Sequence, residues 1–208
     1  MNAQTERHVC QGQAGQIAVL VDSPAADSRV KGVAVIAHPH PLFGGTMDNK
    51  VVQTLARAFV QCGWQAVRFN FRGVGESAGV YDEGRGEAQD MQSVISHFAG
   101  AGSLALAGFS FGAYVTSHVV AELAAHRAIE KIVLVGTAAS RFQVTPVPSE
   151  LHERTLVVHG EADDTVPLAS VMDWARPQVL PITVVPAGGH FFHGQLPLLK
   201  SLVVRHLV

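Results

Sequence analysis

Three residue types that together perform nucleophilic catalysis occur at separate points of this sequence. Ser110 lies between two glycines in the stretch GFSFG (Gly108 to Gly112). An acidic pair, Asp163 and Asp164, follows the apolar run TLVVH, and His190 follows the apolar run ITVVPA. A serine hydroxyl is a weak nucleophile until a histidine accepts its proton and a carboxylate orients that histidine. The set therefore indicates attack on a carbonyl carbon by Ser110, provided that the fold brings the three residues together.

The context of Ser110 is that of a nucleophile elbow. The run SLALAG predicts a strand over Ser103–Gly108, and FGAYVTSHVVAELAAH predicts a helix directly after the serine. The flanks of so sharp a turn would collide unless glycine stood at positions 108 and 112. Ser110 would then project above the sheet, near the positive end of the helix. The alternative is a strand–helix turn in which the serine only caps the helix.

The acid and the base each have a competitor. Either Asp163 or Asp164 could orient the histidine, and loop aspartates often only cap the helix that follows. His193 competes with His190 as the base, but we expect it within the final helix, whereas two glycines place His190 in a loop. We expect His159 inside a strand, as a packed or hydrogen-bonded histidine. The chain order of serine, acid and histidine is the order that a strand–elbow–helix architecture requires.

A histidine-rich stretch, VIAHPHPLFGG, ends another apolar run. Two histidines one residue apart could begin a metal site, but such a site needs more ligands and would leave the serine motif unexplained, so we predict neither metal nor cofactor. We expect this loop to supply one backbone N–H donor for a tetrahedral intermediate and Phe111 to supply the other. Proline has no N–H, which leaves His40, Leu42 and Phe43, and we choose Leu42.

Short apolar runs that alternate with helical patterns must position these residues. Strands that are apolar on both faces and separated by helices form a parallel sheet covered on both sides, and ligands bind at its carboxyl ends. We expect QIAVLVD to form an N-terminal antiparallel edge strand, and RGVGES to form a structural turn rather than a phosphate loop. The predicted strands are Gln16–Asp22, Gly32–His38, Gln65–Phe71, Ser103–Gly108, Lys131–Thr137, Thr155–Gly160 and Ile182–Ala187; the predicted helices include one capped by Asp48, one over Glu87–Phe98 and one over His193–Leu207.

Composition narrows the function classes. The chain has 208 residues, 48% hydrophobic and 15% charged, with a formal net charge of -2, which is typical of one globular domain over residues 1–208. The absence of a basic stripe argues against a nucleic-acid partner, and no apolar run is long enough to span a bilayer. We expect Cys10 and Cys62 to be reduced thiols of a cytoplasmic protein. The sequence does not indicate an oligomeric state.

The stretches GFSFG, HGEADDTVP, GGHFFHG, FNFRGVGESAG and AHPHPLFGGTMDN together resemble the α/β-hydrolase superfamily. They are most similar to its small bacterial serine hydrolases, which resemble dienelactone hydrolases and lidless carboxylesterases, from about Gly32 to the C-terminus. The resemblance implies an α/β fold with a mostly parallel central sheet, helices on both faces and no cap domain. It also implies Ser110 as nucleophile, Asp163 as the orienting acid and His190 as base. Dienelactone hydrolases carry cysteine where this chain has serine, so their substrate does not transfer.

This resemblance predicts a carboxylesterase that cleaves small-molecule esters of short acyl chains through an acyl-enzyme. Thioesterase and lactone hydrolase activities would use the same residues, and a non-catalytic binder that keeps the fold is the alternative from another class. A peptidase is less favoured because no further domain positions a peptide. We expect an open, shallow cleft lined by Leu42, Phe43, Phe109, Phe111 and Phe191.

Overall fold

An eight-stranded, mostly parallel sheet forms the centre of the fold. The structure is a computed structural model, and it describes residues 5–208. Residues 1–4 of the predicted domain lie outside the described part. The strands are β1 (Thr5–Gly12), β2 (Gly15–Asp22), β3 (Val33–Ala37), β4 (Gln65–Phe69), β5 (Leu104–Phe109), β6 (Lys131–Val135), β7 (Thr155–Gly160) and β8 (Ile182–Val185). The helices are α1 (Lys50–Gln61), α2 (Arg85–Ala99), α3 (Phe111–Ala124), α4 (Leu168–Ala175) and α5 (Leu196–Leu207).

The strands follow one another across the sheet in the order β1-β2-β4-β3-β5-β6-β7-β8. The strands from β4 to β8 in this order pair in parallel, so the loops that follow them meet at one edge of the sheet. The predicted strand at Gln16–Asp22 is present as β2 and is antiparallel to β4, but it is not the edge strand. β1 pairs outside it. Because Cys10 is the one buried residue of the polar strand β1, its sequence carries no apolar run that would have indicated a strand.

Helices cover both faces of this sheet, which confirms the predicted fold class. Apolar side chains of α1 and α5 pack with one face of the strands, and those of α2, α3 and α4 pack with the other. β5 lies between the two clusters with all six of its residues buried. A strand buried on both faces must be apolar throughout, which is why the run that leads to Ser110 shows no alternation.

Some boundaries differ from those predicted. Asn49, not Asp48, caps α1, because its side chain accepts the Val51 N–H at 2.9 Å, while Asp48 lies 3.4 Å from Arg68. The final helix begins at Leu196, three residues beyond His193. All the residues between β6 and β7 are described, and the only helical segment among them is the 3₁₀ turn Ser149–Arg154. Within residues 5–208, no helix is long and apolar enough to cross a membrane.

Candidate active site

The turn between β5 and α3 presents Ser110. Its backbone has φ 57° and ψ -116°, a strained conformation for a residue with a side chain, and its N–H donates to the Val135 carbonyl at 2.8 Å. A Cβ atom added at Gly108 would lie 2.3 Å from the Gly112 carbonyl oxygen, and one added at Gly112 would lie 2.4 Å from the Ala37 carbonyl oxygen. These distances explain the predicted need for two glycines, because the neighbouring backbone atoms leave no room for a side chain at either position.

The loop after β8 carries His190 to the same point. Its Nε2 lies 2.9 Å from the Ser110 hydroxyl oxygen, and its Nδ1 lies 2.7 Å from Oδ2 of Asp163. The imidazole packs against the buried Phe109 ring, with a centroid separation of 4.9 Å. An ionised carboxylate can only accept, so Nδ1 carries the proton and Nε2 is left to accept from the serine hydroxyl.

Asp163 is held as an ionised acceptor. Its Oδ1 accepts the Thr165 N–H at 3.0 Å and the Val166 N–H at 2.7 Å, and the residue is 6% exposed. Burial alone would raise the pKa of Asp163, but the hydrogen bonds from His190 and from the Val166 N–H outweigh it and hold the pKa below its ordinary value. Asp164, its competitor, is exposed, and within residues 5–208 its side chain accepts a single hydrogen bond, from the Thr165 hydroxyl at 3.3 Å.

A second histidine borders this carboxylate. His159 lies in β7 with no exposed surface, as predicted for a packed histidine. Its Nε2 donates to the Val166 carbonyl at 2.9 Å and lies 3.4 Å from Oδ2 of Asp163. Burial lowers the pKa of His159, so this ring is neutral beside the carboxylate. His193, the competing base, is exposed, and its ring centroid lies 5.9 Å from that of Phe191. Sequence reasoning did not assign His159 a place beside the acid.

The loop after β3 forms a 3₁₀ turn, and its hydrogen bonds separate the three candidate donors. The Leu42 N–H donates to Nδ1 of His40 at 3.2 Å, and the Phe43 N–H donates to the His40 carbonyl at 3.1 Å. Leu42 is 67% exposed and does not line the cleft, so it is unsuited to the predicted role of oxyanion donor. The N–H groups of His40 and Phe111 make no hydrogen bond with any of the residues 5–208. His40 is thus the member of the predicted trio whose N–H is available.

His38, the first histidine of this loop, is fully buried. Its Nδ1 donates to the Pro39 carbonyl at 2.6 Å and its Nε2 accepts the Phe71 N–H at 3.0 Å. Burial lowers its pKa to about 4. Both nitrogens are therefore engaged in tying the loop after β3 to the chain after β4. In the described part of the chain, no group of three or more His, Cys, Asp or Glu side chains is arranged to hold a metal ion.

A cleft of about 290 Å³ opens above the serine. Phe43, Phe111 and Phe191 line it as predicted, whereas Leu42 points outside and Phe109 is completely buried beneath His190. The predicted lining missed its opposite wall, which comes from the irregular segment after β6. The lining residues are Pro39, His40, Phe43, Gly44, Gly45, Asn49, Ser110, Phe111, Ala138, Arg141, Phe142, Thr165, Val166, His190 and Phe191.

Known proteins resemble the chain over all or part of its length. A serine hydrolase without a lid from Xanthomonas campestris is 34% identical, with a TM-score of 0.87, and the match covers 100% of this chain and 95% of the other. A serine hydrolase homologue from Coxiella burnetii is 37% identical over 100% of both chains, with a TM-score of 0.84. An uncharacterised protein of Rickettsia prowazekii (strain Madrid E) is 40% identical over 92 residues, which make up 42% of this chain and 39% of that protein.

The model of one protein family also matches, and it spans β2 to the segment after β6. This family is described as X-Pro dipeptidyl-peptidase (S15 family), and its model matches residues 15–146, more than half of the chain. That segment contains the elbow and the loop after β3 but ends before Asp163 and His190. Together with the two full-length relatives, the match shows that the chain belongs to the S15 family within the α/β-hydrolase superfamily and is a lidless serine hydrolase.

Proposed function

We propose that this protein is a carboxylesterase that cleaves small carboxylic esters through an acyl-enzyme on Ser110. The observation that carries the proposal is the continuous hydrogen-bonded series from Ser110 Oγ through the His190 ring to Asp163, with separations of 2.9 Å and 2.7 Å. Such a series makes the hydroxyl a nucleophile at neutral pH, because the proton it loses has an acceptor that is already oriented.

The first half of the reaction acylates the serine. Ser110 Oγ attacks the ester carbonyl carbon while Nε2 of His190 takes the hydroxyl proton, and the carboxylate of Asp163 stabilises the imidazolium that forms. The carbonyl oxygen becomes an oxyanion, and we assign its two donors to the N–H groups of Phe111 and His40. Removing one such donor typically costs about 3 kcal/mol of transition-state stabilisation. The assignment of His40 replaces Leu42, whose N–H is used inside the turn.

Departure of the alcohol completes the acylation, and the second half of the reaction then releases the acid. The imidazolium of His190 gives its proton to the leaving alkoxide, so that the alcohol departs and the acyl group remains on Ser110. A water molecule then attacks the acyl carbon while Nε2 accepts one of its protons. Collapse of the second tetrahedral intermediate breaks the bond to Oγ, and His190 returns the proton to the serine. The open cleft above Ser110 gives water direct access to this step.

The lining of the cleft supports an ester over a peptide. A dipeptidyl-peptidase must hold the free ammonium group of its substrate, which calls for a carboxylate. None of the residues that line the cleft is aspartate or glutamate, and its one permanently charged side chain is the cation Arg141. The aromatic walls fit an apolar acyl or aryl group instead. The match to the X-Pro dipeptidyl-peptidase family thus supports the serine chemistry of this chain more than its substrate.

The test is covalent labelling of Ser110. We expect a fluorophosphonate probe to add one phosphonyl group that peptide mass mapping places on Ser110, and we expect the wild type to hydrolyse 4-nitrophenyl butyrate. Ser110→Ala should lose both, whereas Ser149→Ala, which changes an exposed serine far along the chain, should keep both. An unlabelled Ser110 in folded protein would favour the non-catalytic binder.

A substrate panel separates the remaining alternatives. Matched butyrate esters and thioesters, γ-butyrolactone and an alanyl-proline 4-nitroanilide should rank with the ester first by kcat/KM. A higher value for the thioester, the lactone or the anilide would replace the carboxylesterase by that activity, with the same serine, histidine and aspartate.

We keep the cytoplasm as the proposed location and one domain as the proposed organisation. Cys10 and Cys62 are both buried and free, which suits a reducing compartment. The single sheet that runs through residues 5–208 supports the one-domain proposal.

A further inference from the structure

An unpaired cation lies in the wall of the cleft. Arg141 is one of the lining residues, and its guanidinium forms neither an ion pair nor a side-chain hydrogen bond with any of the residues 5–208. The arginines that stabilise the fold are different, since Arg68 binds Asp22 at 2.7 Å and Arg72 binds Asp90 at 2.8 Å. Arg141 is exposed, so its five N–H donors face solvent beside an apolar cavity with no acid among its lining residues, and they are available to an anionic ligand.

The fold anchors the backbone of Arg141 beside the nucleophile. Its N–H and that of Phe142 both donate to the Ala138 carbonyl at 3.1 Å, which closes a turn after β6. The Phe142 ring stacks on Tyr114 with a centroid separation of 4.7 Å and packs edge-on against Phe111 at 5.2 Å. Phe111 follows Ser110 directly, so the turn that carries Arg141 is packed against the start of the elbow helix.

The positive charge of Arg141 acts inside the cleft. Burial lowers the pKa of His40, and the charge of Arg141 lowers it further. No carboxylate among the lining residues opposes this charge, although the chain as a whole carries a formal net charge of -2. An anionic ligand in the cleft would therefore meet attraction from Arg141 and repulsion from no lining side chain.

On the basis of the proposed esterase function, we propose that Arg141 is a specificity-determining residue that binds a carboxylate of the substrate away from the scissile ester. The substrate class is then a carboxylate-bearing ester, either a monoester of a dicarboxylic acid or an ester of a hydroxy- or phenolic carboxylic acid. The planar guanidinium suits a carboxylate because it offers two parallel N–H donors. The aromatic walls take the carbon skeleton between the two groups.

The experiment compares substrates that differ in charge and little in shape. The acyl arm uses the 4-nitrophenyl monoester of glutaric acid against 4-nitrophenyl valerate. The leaving-group arm uses 4-acetoxybenzoate against 4-acetoxybenzamide. In each arm the measured quantity is the kcat/KM for the anionic substrate divided by the kcat/KM for its neutral match. In the arm that matches the natural substrate, this ratio should be about tenfold higher in the wild type than in Arg141→Gln. Arg141→Lys should give an intermediate ratio. The ratio cancels any general loss of activity.

Two further measurements keep the subsite and the esterase proposal separate. Arg205→Gln, which removes an exposed cation on α5, should leave the wild-type ratios unchanged. Calorimetry measures the affinity of the subsite without turnover. The affinities of 4-phenylbutyrate and of its amide are compared for Ser110→Ala and for the double variant that also carries Arg141→Gln. Equal ratios in wild type and Arg141→Gln in both arms, together with equal binding of acid and amide, would overturn the subsite. Loss of activity on the neutral esters together with an unlabelled Ser110 would overturn the esterase proposal instead.

Discussion

The buried His38 should make the stability of this protein depend on pH in a defined window. Burial lowers the pKa of His38 from 6.5 to about 4 in the folded chain, whereas the unfolded chain returns it to its ordinary value. Below pH 6.5 the unfolded state therefore binds a proton that the folded state refuses until about pH 4. Protonation of His38 in the unfolded state therefore favours unfolding as the pH falls. The free energy of unfolding is free of this loss only above pH 6.5.

The size of the effect follows from the shift. One pKa unit corresponds to about 1.4 kcal/mol, so His38 should lower the free energy of unfolding by about 2 kcal/mol between pH 7 and pH 5, and by about 3 kcal/mol by pH 4. Burial also lowers the pKa of His118, His159 and His206, so a variant is needed to isolate the contribution of His38. His38→Gln keeps a side-chain oxygen able to accept from the Phe71 N–H and does not titrate.

The assay is urea unfolding of wild type and His38→Gln at pH 7, 6, 5 and 4.5, followed by fluorescence of the buried Trp64. At pH 7 the variant should be less stable by about 1–3 kcal/mol, because the hydrogen bond to the Pro39 carbonyl is lost. The gap should close by about 2 kcal/mol at pH 5, since only the wild type continues to lose stability through this group. His126→Gln, at an exposed histidine, should follow the wild type. Parallel pH curves for wild type and His38→Gln would refute the reasoning.

Three further outcomes follow from the geometry of the site. Asp163→Asn should lower kcat on an aryl ester by about 10³- to 10⁴-fold, because an amide no longer holds the Nδ1–H tautomer of the histidine; a loss below tenfold would contradict its role. Gly112→Ala should lower the free energy of unfolding by more than about 3 kcal/mol in urea, since its Cβ would lie 2.4 Å from the Ala37 carbonyl, while Gly189→Ala, with open space, should change it by less than about 1 kcal/mol. His40→Phe should lower kcat about tenfold at similar KM, because the turn that holds the donor loses its ring acceptor; an unchanged kcat would show that the turn holds its shape without it.

The sequence predicts the sheet and the elbow well because each depends on residue types within one short stretch of the chain. A buried parallel strand must be apolar throughout, and a turn as sharp as that at Ser110 admits only glycine at its flanks, so both leave a pattern in the residues. β1 leaves no such pattern. It is held mainly by its pairing with β2 along its whole length, and pairing of backbone groups requires no particular side chain. A polar edge strand therefore has no pattern of apolar residues from which it could be predicted, and only the structure reveals it.

The sequence of the segment after β6 does not predict its place in the cleft either. Its residues from Gly136 to Pro148 form neither a helix nor a strand, yet they supply Ala138, Arg141 and Phe142 to the cleft. Which of its side chains face Ser110 depends on a turn closed by one carbonyl and on the ring of Tyr114, which lies on another element. Neither periodicity nor spacing encodes such a contact, because it joins residues far apart in the chain.

The prediction of Leu42 as an oxyanion donor depends on a finer detail, and the hydrogen bonds of the turn favour His40 instead. Proline chemistry narrows the donor to three residues, but the decision rests on where each remaining N–H points, and a 3₁₀ turn uses up the N–H groups that follow its first residue. The His40 carbonyl accepts from Phe43 and Gly45, and its ring accepts from Leu42. A turn closed in this way leaves the N–H at its start free, which is the N–H of His40.

The rings of His40 and Phe111, the two residues that we propose as oxyanion donors, also contact each other. His40 and Phe111 have ring centroids 4.9 Å apart, and Tyr81 and Phe142 pack against both. The relative position of the two N–H groups is therefore fixed by aromatic packing as well as by the elbow and the 3₁₀ turn. Aromatic contacts of this kind contribute about 1 kcal/mol each, which is little compared with the stability of a domain. Truncation of Tyr81 or Phe142 should therefore leave the chain folded but change the distance between the two N–H groups. The histidine-rich stretch thus contributes to the site through backbone and packing, with its first imidazole as a buried tie and its second as a wall of the cleft.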